Sequence, residues 1–156
     1  MLRRFTVLLS LLVILLRVTM GIPQRSLADS TYHSPPIPLS PVGANADGSG
    51  FVINAHANGP QVVANENYVL LGAEANTAYS VVLQVYVGDP SCSTAAFTVP
   101  SETIETNQAG NGHANHRFIP ADVPPELHNA THGIVWQVLL DSQVVYESPC
   151  EVVTID

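Results

Sequence analysis

Apolar and polar residues alternate with a period of two through most of residues 48–156. The stretches YSVVLQVYV (79–87) and GIVWQVLLD (133–141) show the pattern most clearly. Such alternation, in runs rich in valine, isoleucine and aromatic residues, is typical of half-buried β-strands. Turn sequences such as GDPS and NQAGNG separate the runs. The pattern predicts strands at about 49–57, 61–72, 79–88, 95–99, 102–107, 112–119, 133–140 and 143–155.

About seven or eight short strands without a long helical pattern favour an all-β, antiparallel β-sandwich in a single domain. The stretch ADVPPELHNATHG (121–133) interrupts the strand pattern. Its early prolines and its final glycine predict a helical turn at a corner between two strands.

Two stretches resemble secreted bacterial immunoglobulin-like and fibronectin type III-like domains. In AEANTAYSVVLQVYV, Thr77 precedes Tyr79 by two residues, although Ala73 and Ala75 stand where that family has leucine and proline. The glycine hairpin TNQAGNGHANHRFIP is the second stretch. The resemblance implies an immunoglobulin-like β-sandwich for residues 48–156, with the Tyr79 hydroxyl bonded back to the chain at a corner. It implies no particular function.

The first 47 residues differ in composition and lack the alternating strand pattern. Two arginines precede the short apolar run Phe5–Leu16, which predicts a secretory signal peptide over residues 1–28, with an uncleaved amino-terminal anchor as the alternative. Residues 29–47 are rich in proline and predict a disordered linker. We therefore expect a secreted, extracellular protein without stable membrane insertion after cleavage.

The charge of the chain limits the classes of partner that it could bind. The chain has no lysine, and Arg117 is the one arginine of residues 29–156, which hold all 13 acidic residues and so carry a formal charge of −12. Such a surface repels phosphate backbones, which argues against a nucleic-acid partner. The absence of lysine also excludes a lysine Schiff-base mechanism.

Cys92 and Cys150 are the two cysteines of the chain. In an oxidising compartment the natural prediction is one disulfide between them, and the alternative is two free thiols. A disulfide would close a loop of 58 residues, which the chain-entropy relation values at roughly 4 kcal/mol.

The histidines raise the question of a metal site. On a flat strand His113 and His116 point to opposite faces, so we expect His116 to share a face with Ala114 and Phe118.

His128 and His132 are four residues apart, which is the spacing of a zinc half-site on a helical turn. A third ligand would have to come from His113, Glu126 or Asp122. We predict ordinary loop and strand histidines and no bound cofactor, and the metal site is the alternative.

No other arrangement of residues in the sequence indicates a catalytic or ligand-binding site. The chain has no G-x-S-x-G elbow. Trp136, Tyr86 and Tyr68 would suit a carbohydrate-stacking platform, but Trp136 lies on the apolar face of its strand, which favours the core.

We therefore expect a monomeric, non-catalytic extracellular binding or structural module, whose partner is an unknown extracellular protein or glycan. The alternative is a small metal-binding protein that uses the histidines, and an enzyme assembled from scattered loop residues ranks third.

Overall fold

A computed structural model describes residues 32–43, 46–56 and 64–155. The predicted signal peptide lies outside the described residues. The described part holds ten antiparallel strands, which are β1 (Tyr32–His33), β2 (Ile37–Pro41), β3 (Ser49–His56), β4 (Ala64–Leu71), β5 (Ala78–Tyr86), β6 (Phe97–Glu105), β7 (Gly112–Phe118), β8 (Ala130–Leu140), β9 (Gln143–Glu147) and β10 (Glu151–Ile155).

Helical structure in the described residues is limited to two 3-10 turns, Pro120–Asp122 and Pro125–Leu127. They form the corner between β7 and β8, where the proline-rich stretch predicted a helical turn. Within the described ranges, no helix has the length and apolar character that a membrane crossing requires.

The strands form one sheet in the order β6-β5-β8-β9-β2-β3-β4-β7, with β1 added to β3 and β10 added to β8. The predicted antiparallel all-β class is confirmed. The sheet is nearly barrel-shaped rather than clearly a two-layer sandwich. The reason is that β2 links the strands β6, β5, β8 and β9 on one side to the strands β3, β4 and β7 on the other. Ile37–Leu39 pair with β3, while Ser40 and Pro41 pair with β9.

The two ends of the sheet meet at the hairpin between β6 and β7. These strands lie side by side, but the one bridge described between them is Thr106 with Gly112, next to the turn. Beyond that bridge, side chains rather than a backbone ladder close the gap. We call this gap the β6–β7 seam.

The proline-rich segment differs from its interpretation as a disordered linker over its described part. Ile37 and Leu39 are 4% and 1% exposed and belong to the core. Pro38 and Ser40 point outward on the alternate face. Proline is tolerated in a short strand with few ladder bonds, and the two buried side chains anchor it. Four prolines obscured this short alternation in the sequence.

The carboxyl-terminal strand pattern is divided in the structure. One strand was predicted over 143–155, but β9 and β10 pair with successive parts of β8 and are separated by Ser148–Cys150. Trp136 N donates to Ser148 Oγ at 3.0 Å, and Ser148 N donates to Trp136 O at 3.0 Å. Pro149 follows and cannot donate a ladder bond, so the strand breaks there.

The corner implied by the resemblance is present at the start of β5. The backbone N–H of Glu74 donates to the Tyr79 hydroxyl at 3.1 Å. The Tyr79 ring is 2% exposed and meets Tyr146 edge to face, with ring centroids 6.1 Å apart. This hydrogen bond confirms the predicted role of Tyr79.

Candidate functional site

The two cysteines form the predicted disulfide. Cys92 and Cys150 are joined with Cα atoms 6.0 Å apart, and no described cysteine is free. The bond ties the β5–β6 loop to the segment between β9 and β10. It packs over Gly133, where an added Cβ would lie 2.5 Å from Cys92 Sγ. A glycine is therefore needed under this bond.

Asp89 organises the loop that carries Cys92. Its carboxylate accepts hydrogen bonds from the backbone N–H groups of Ser91, Ser93 and Thr94, at 3.0, 2.7 and 2.8 Å. The Ser91 and Ser93 hydroxyls also donate to it. The Ser91 side-chain hydrogen bond is the largest of the interactions that lower the pKa of Asp89 well below its usual value. Asp89 therefore shapes this loop as an ionised carboxylate.

His132, one of the candidate metal ligands, is fully buried on β8. Gly88 N donates to its Nδ1 at 3.1 Å, so this nitrogen carries a lone pair. Its Nε2 lies 2.8 Å from Leu127 O and therefore carries the hydrogen. Both ring nitrogens serve the backbone, and His132 fastens the β7–β8 corner to the end of β5.

The other predicted ligands lie on separate elements. His128 follows the second 3-10 turn, with its Nε2 3.4 Å from Val123 O. His113 is exposed on the outer face of β7. Within the described ranges, no three side chains of the His, Cys, Asp and Glu types are grouped as metal ligands. The metal site stays an untested alternative.

His116 shares a face of β7 with Ala114 and Phe118, as predicted, and this is the inner face of the strand. Its ring packs against Phe118 with centroids 4.2 Å apart, and Ala114 shares the same face. Its Nδ1 is 2.9 Å from Glu102 Oε1 on β6, so this pair of side chains spans the β6–β7 seam.

A buried carboxyl group lies behind that pair. Glu66 on β4 is 2% exposed. The Trp136 indole N–H donates to Glu66 Oε2 at 2.8 Å, and the Tyr68 hydroxyl donates to the same oxygen. Burial raises the pKa of Glu66 from 4.5 to about 7, although these two hydrogen bonds and the nearby His116 charge act in the opposite direction.

Tyr68 connects this carboxyl group to the seam. The phenol hydroxyl lies 2.7 Å from Ser101 Oγ on β6. Because its single hydrogen is used on Glu66, Ser101 is the donor to Tyr68. Burial, followed by the charge of Glu66, raises the pKa of Tyr68 well above 10.

Asn54 completes a row of polar side chains across three strands. Asn54 on β3 is paired with Glu66 on β4, and Glu66 is paired with His116 on β7. Directly opposed residues share a face of the sheet. Asn54 is 3% exposed, and its Oδ1 has no hydrogen-bond partner among the described residues. An acceptor left in this state makes the cluster sensitive to the protonation of its neighbour.

The prediction that Trp136 lies in the core is confirmed, and a carbohydrate platform of Trp136 and Tyr68 is ruled out, because both side chains are 0% exposed. The polar cluster of Glu66, Tyr68, Trp136 and Asn54 was not predicted. The stretch ANENYVLL has polar or mixed residues at both parities, so alternation could not assign its inner face. The one signal was the aromatic Tyr68, which shares a parity with Glu66 and Leu70.

An open cavity of about 220 Å³ lies at the end of the molecule where β4 passes into β5. Tyr79, Tyr146, Val145 and Leu140 supply its apolar wall, and the exposed Asp47 and Glu74 lie beside it. The Tyr146 hydroxyl donates to the Asp47 carbonyl. Burial raises the pKa of Tyr146 to about 12. This cavity is smaller than typical drug-sized sites, which span roughly 300–1,000 Å³.

Comparisons of the chain with protein-family models, with curated proteins and with solved structures gave no match.

Proposed function

We propose that the chain is a secreted, non-catalytic binding or structural module that works as a monomer outside the cell. The observation that carries this proposal is that the polar groups of the interior are buried and hydrogen-bonded to one another, out of reach of a substrate. Glu66, the one described acid with a pKa raised toward neutrality, is 2% exposed and bonded to two fully buried aromatic side chains. A general acid or base has to reach the proton that it transfers, and no substrate atom can reach this carboxyl group while the sheet is closed.

The disulfide supports the extracellular part of the proposal. Disulfides persist in oxidising compartments and are rare where thiols are kept reduced. Secretion through residues 1–28 belongs to the same proposal. So does kinship with immunoglobulin-like sandwiches, which the Tyr79 corner supports.

The cavity beside Asp47 and Glu74 is a surface that suits a small ligand group. Its size fits one side chain or one sugar unit better than a larger molecule. Two exposed carboxylates beside an apolar wall favour a basic or hydroxyl-rich group. We infer that an extracellular protein or glycan contacts the molecule here.

An affinity experiment tests the proposal. The purified chain is immobilised and exposed to the extracellular fluid of its source, and retained species are eluted with soluble chain. We expect saturable retention that falls at least tenfold in the double variant Asp47→Asn/Glu74→Gln. The variant Glu105→Gln/Glu126→Gln, which removes two exposed charges away from the cavity, should retain as much as the unmodified chain. Equal losses in both variants would remove the cavity from the proposal, and no specific retention would leave only the structural role.

The alternative of a histidine metal protein is tested with the same material. After dialysis against zinc or copper and then buffer, metal analysis should find far less than one ion per chain. Stoichiometric metal that disappears in His128→Ala would replace the proposed function.

A further inference from the structure

The β6–β7 seam is closed by two side-chain contacts from the interior. Tyr68 on β4 meets Ser101 on β6 at 2.7 Å, and His116 on β7 meets Glu102 on β6 at 2.9 Å. The one described backbone bridge between β6 and β7 lies at the turn end. Backbone ladders between strands open cooperatively, whereas two side-chain contacts can separate on their own.

Both seam contacts connect to Glu66. Tyr68 donates to Glu66 on one side and accepts from Ser101 on the other. His116 is the partner of Glu66 in the pairing of β4 with β7. The groups that act on Glu66 are Tyr68 on its own strand, His116 on β7 and the indole of Trp136 on β8. Glu102 on β6 acts on the neighbouring Tyr68, and His56 lies two residues beyond Asn54 on β3.

The protonation state of Glu66 changes what this interior needs. A protonated carboxyl group is neutral and offers one donor, and the unpartnered Oδ1 of Asn54 lies on the neighbouring strand of the same face. An ionised carboxylate needs donors or water, and the protein supplies two donors on one oxygen. Burial of an incompletely solvated charge is costly, and opening the seam is the shortest way to admit water.

We propose that the β6–β7 seam is a proton-controlled latch, which stays closed while the Glu66 carboxyl group holds its proton and opens to solvent more often when that proton leaves. The seam opens without unfolding the β5–β8 ladder. The interior of the molecule thereby responds to a change from an acidic to a mildly alkaline medium.

Hydrogen exchange of the Trp136 indole N–H tests the latch, because this group bonds to Glu66 and belongs to the one tryptophan of the chain. In the purified, oxidised chain, its protection factor, corrected with free tryptophan, is measured between pH 5 and pH 8. If opening returns the Glu66 pKa from about 7 to 4.5, protection should fall on the order of 50-fold. It should stay nearly constant in Glu66→Gln, while Glu105→Gln should behave as the unmodified chain.

Backbone amides in the β5–β8 ladder provide the second measurement. At pH 8 and low urea, the indole N–H should exchange faster than the Gln84 and Gln137 amides, which lie on the hydrogen-bonded positions of this ladder, and should show no dependence on urea. Two results would overturn the latch: indole protection that does not change with pH, or indole exchange that follows the ladder amides in rate and urea dependence. Both readings come from the unmodified chain, so they decide the question even if Glu66→Gln fails to fold.

Discussion

At the scale of single residues, the chemically versatile side chains are used by the fold itself. His132 receives Gly88 N and donates to Leu127 O. Asp89 collects the N–H groups of its own loop. Glu66 accepts hydrogen bonds from the Trp136 indole N–H and the Tyr68 hydroxyl. Because each group satisfies donors or acceptors that would otherwise be orphaned, we expect their removal to reduce stability rather than to abolish a reaction.

The variant His132→Ala tests this point. It leaves the Gly88 N–H and the Leu127 carbonyl without partners and creates a cavity between the end of β5 and the β7–β8 corner, so we expect a loss of about 3 kcal/mol in the free energy of unfolding. The control His113→Ala removes an exposed ring and should change it by less than about 0.5 kcal/mol. Urea denaturation at constant pH gives both values, and equal values would show that His132 is not a structural residue.

At the scale of elements, the positions of the regular strands follow from alternation. The strands β3, β5, β7 and β8 were predicted within a few residues of their observed bounds. The match between alternation and burial is clearest in β5, where Tyr79, Val81, Leu83 and Val85 are all buried. Two predicted strands, 95–99 and 102–107, form the single strand β6. Pro100 lies between the two predicted strands, and the structure accommodates it where the pairing with β5 shifts register between Ser80 and Val82.

The candidate site could be predicted only in part. The disulfide and the inward position of His116 follow from local rules, namely cysteine count and strand period. The Asn54–Glu66–His116 row depends on the register of three strands, two of which are distant in sequence. A strand pattern carries no information on its partners, so no local reading could have placed Asn54 beside Glu66.

The strand β2 is the element that differs most from its interpretation from the sequence, because part of a predicted linker belongs to the core. We expect Leu39→Ala to lower the free energy of unfolding by about 3 kcal/mol, because its side chain is 1% exposed in the core. Val42→Ala is the matched control, since Val42 lies just beyond β2 and is 43% exposed. Thermal denaturation of both variants measures the difference. An unaffected Leu39→Ala would restore the linker interpretation of this segment.

At the scale of the whole molecule, closure is shared by β2, the seam and the disulfide. The disulfide joins positions separated by 58 residues. The double variant Cys92→Ser/Cys150→Ser should therefore lose about 4 kcal/mol of stability. Equilibrium denaturation against the oxidised chain checks this value, with Ser91→Ala/Ser93→Ala as the control for changes to the same loop. A loss below about 1 kcal/mol would show that the bond contributes little to closure.

The pH dependence of the stability of the whole molecule should follow from Glu66, a buried structural carboxyl group. Its pKa is about 7 in the folded chain and 4.5 without burial, so between these values the folded state binds more protons than the unfolded state. The sign of this linkage makes stability fall as pH rises through that window, and the contribution is lost above it. Asp89, whose pKa is lowered, is ionised in both states over the same window and does not add to the trend.

The most direct measurement is the free energy of unfolding of the oxidised chain at pH 5 and at pH 8, alongside Glu66→Gln. We expect the unmodified chain to be about 2–3 kcal/mol less stable at pH 8 than at pH 5 relative to the variant, since glutamine keeps an acceptor for Trp136 and Tyr68 but cannot ionise. The same pH dependence in both proteins, or a carboxyl group that titrates near pH 4.5 in the folded chain, would contradict the sealed interior.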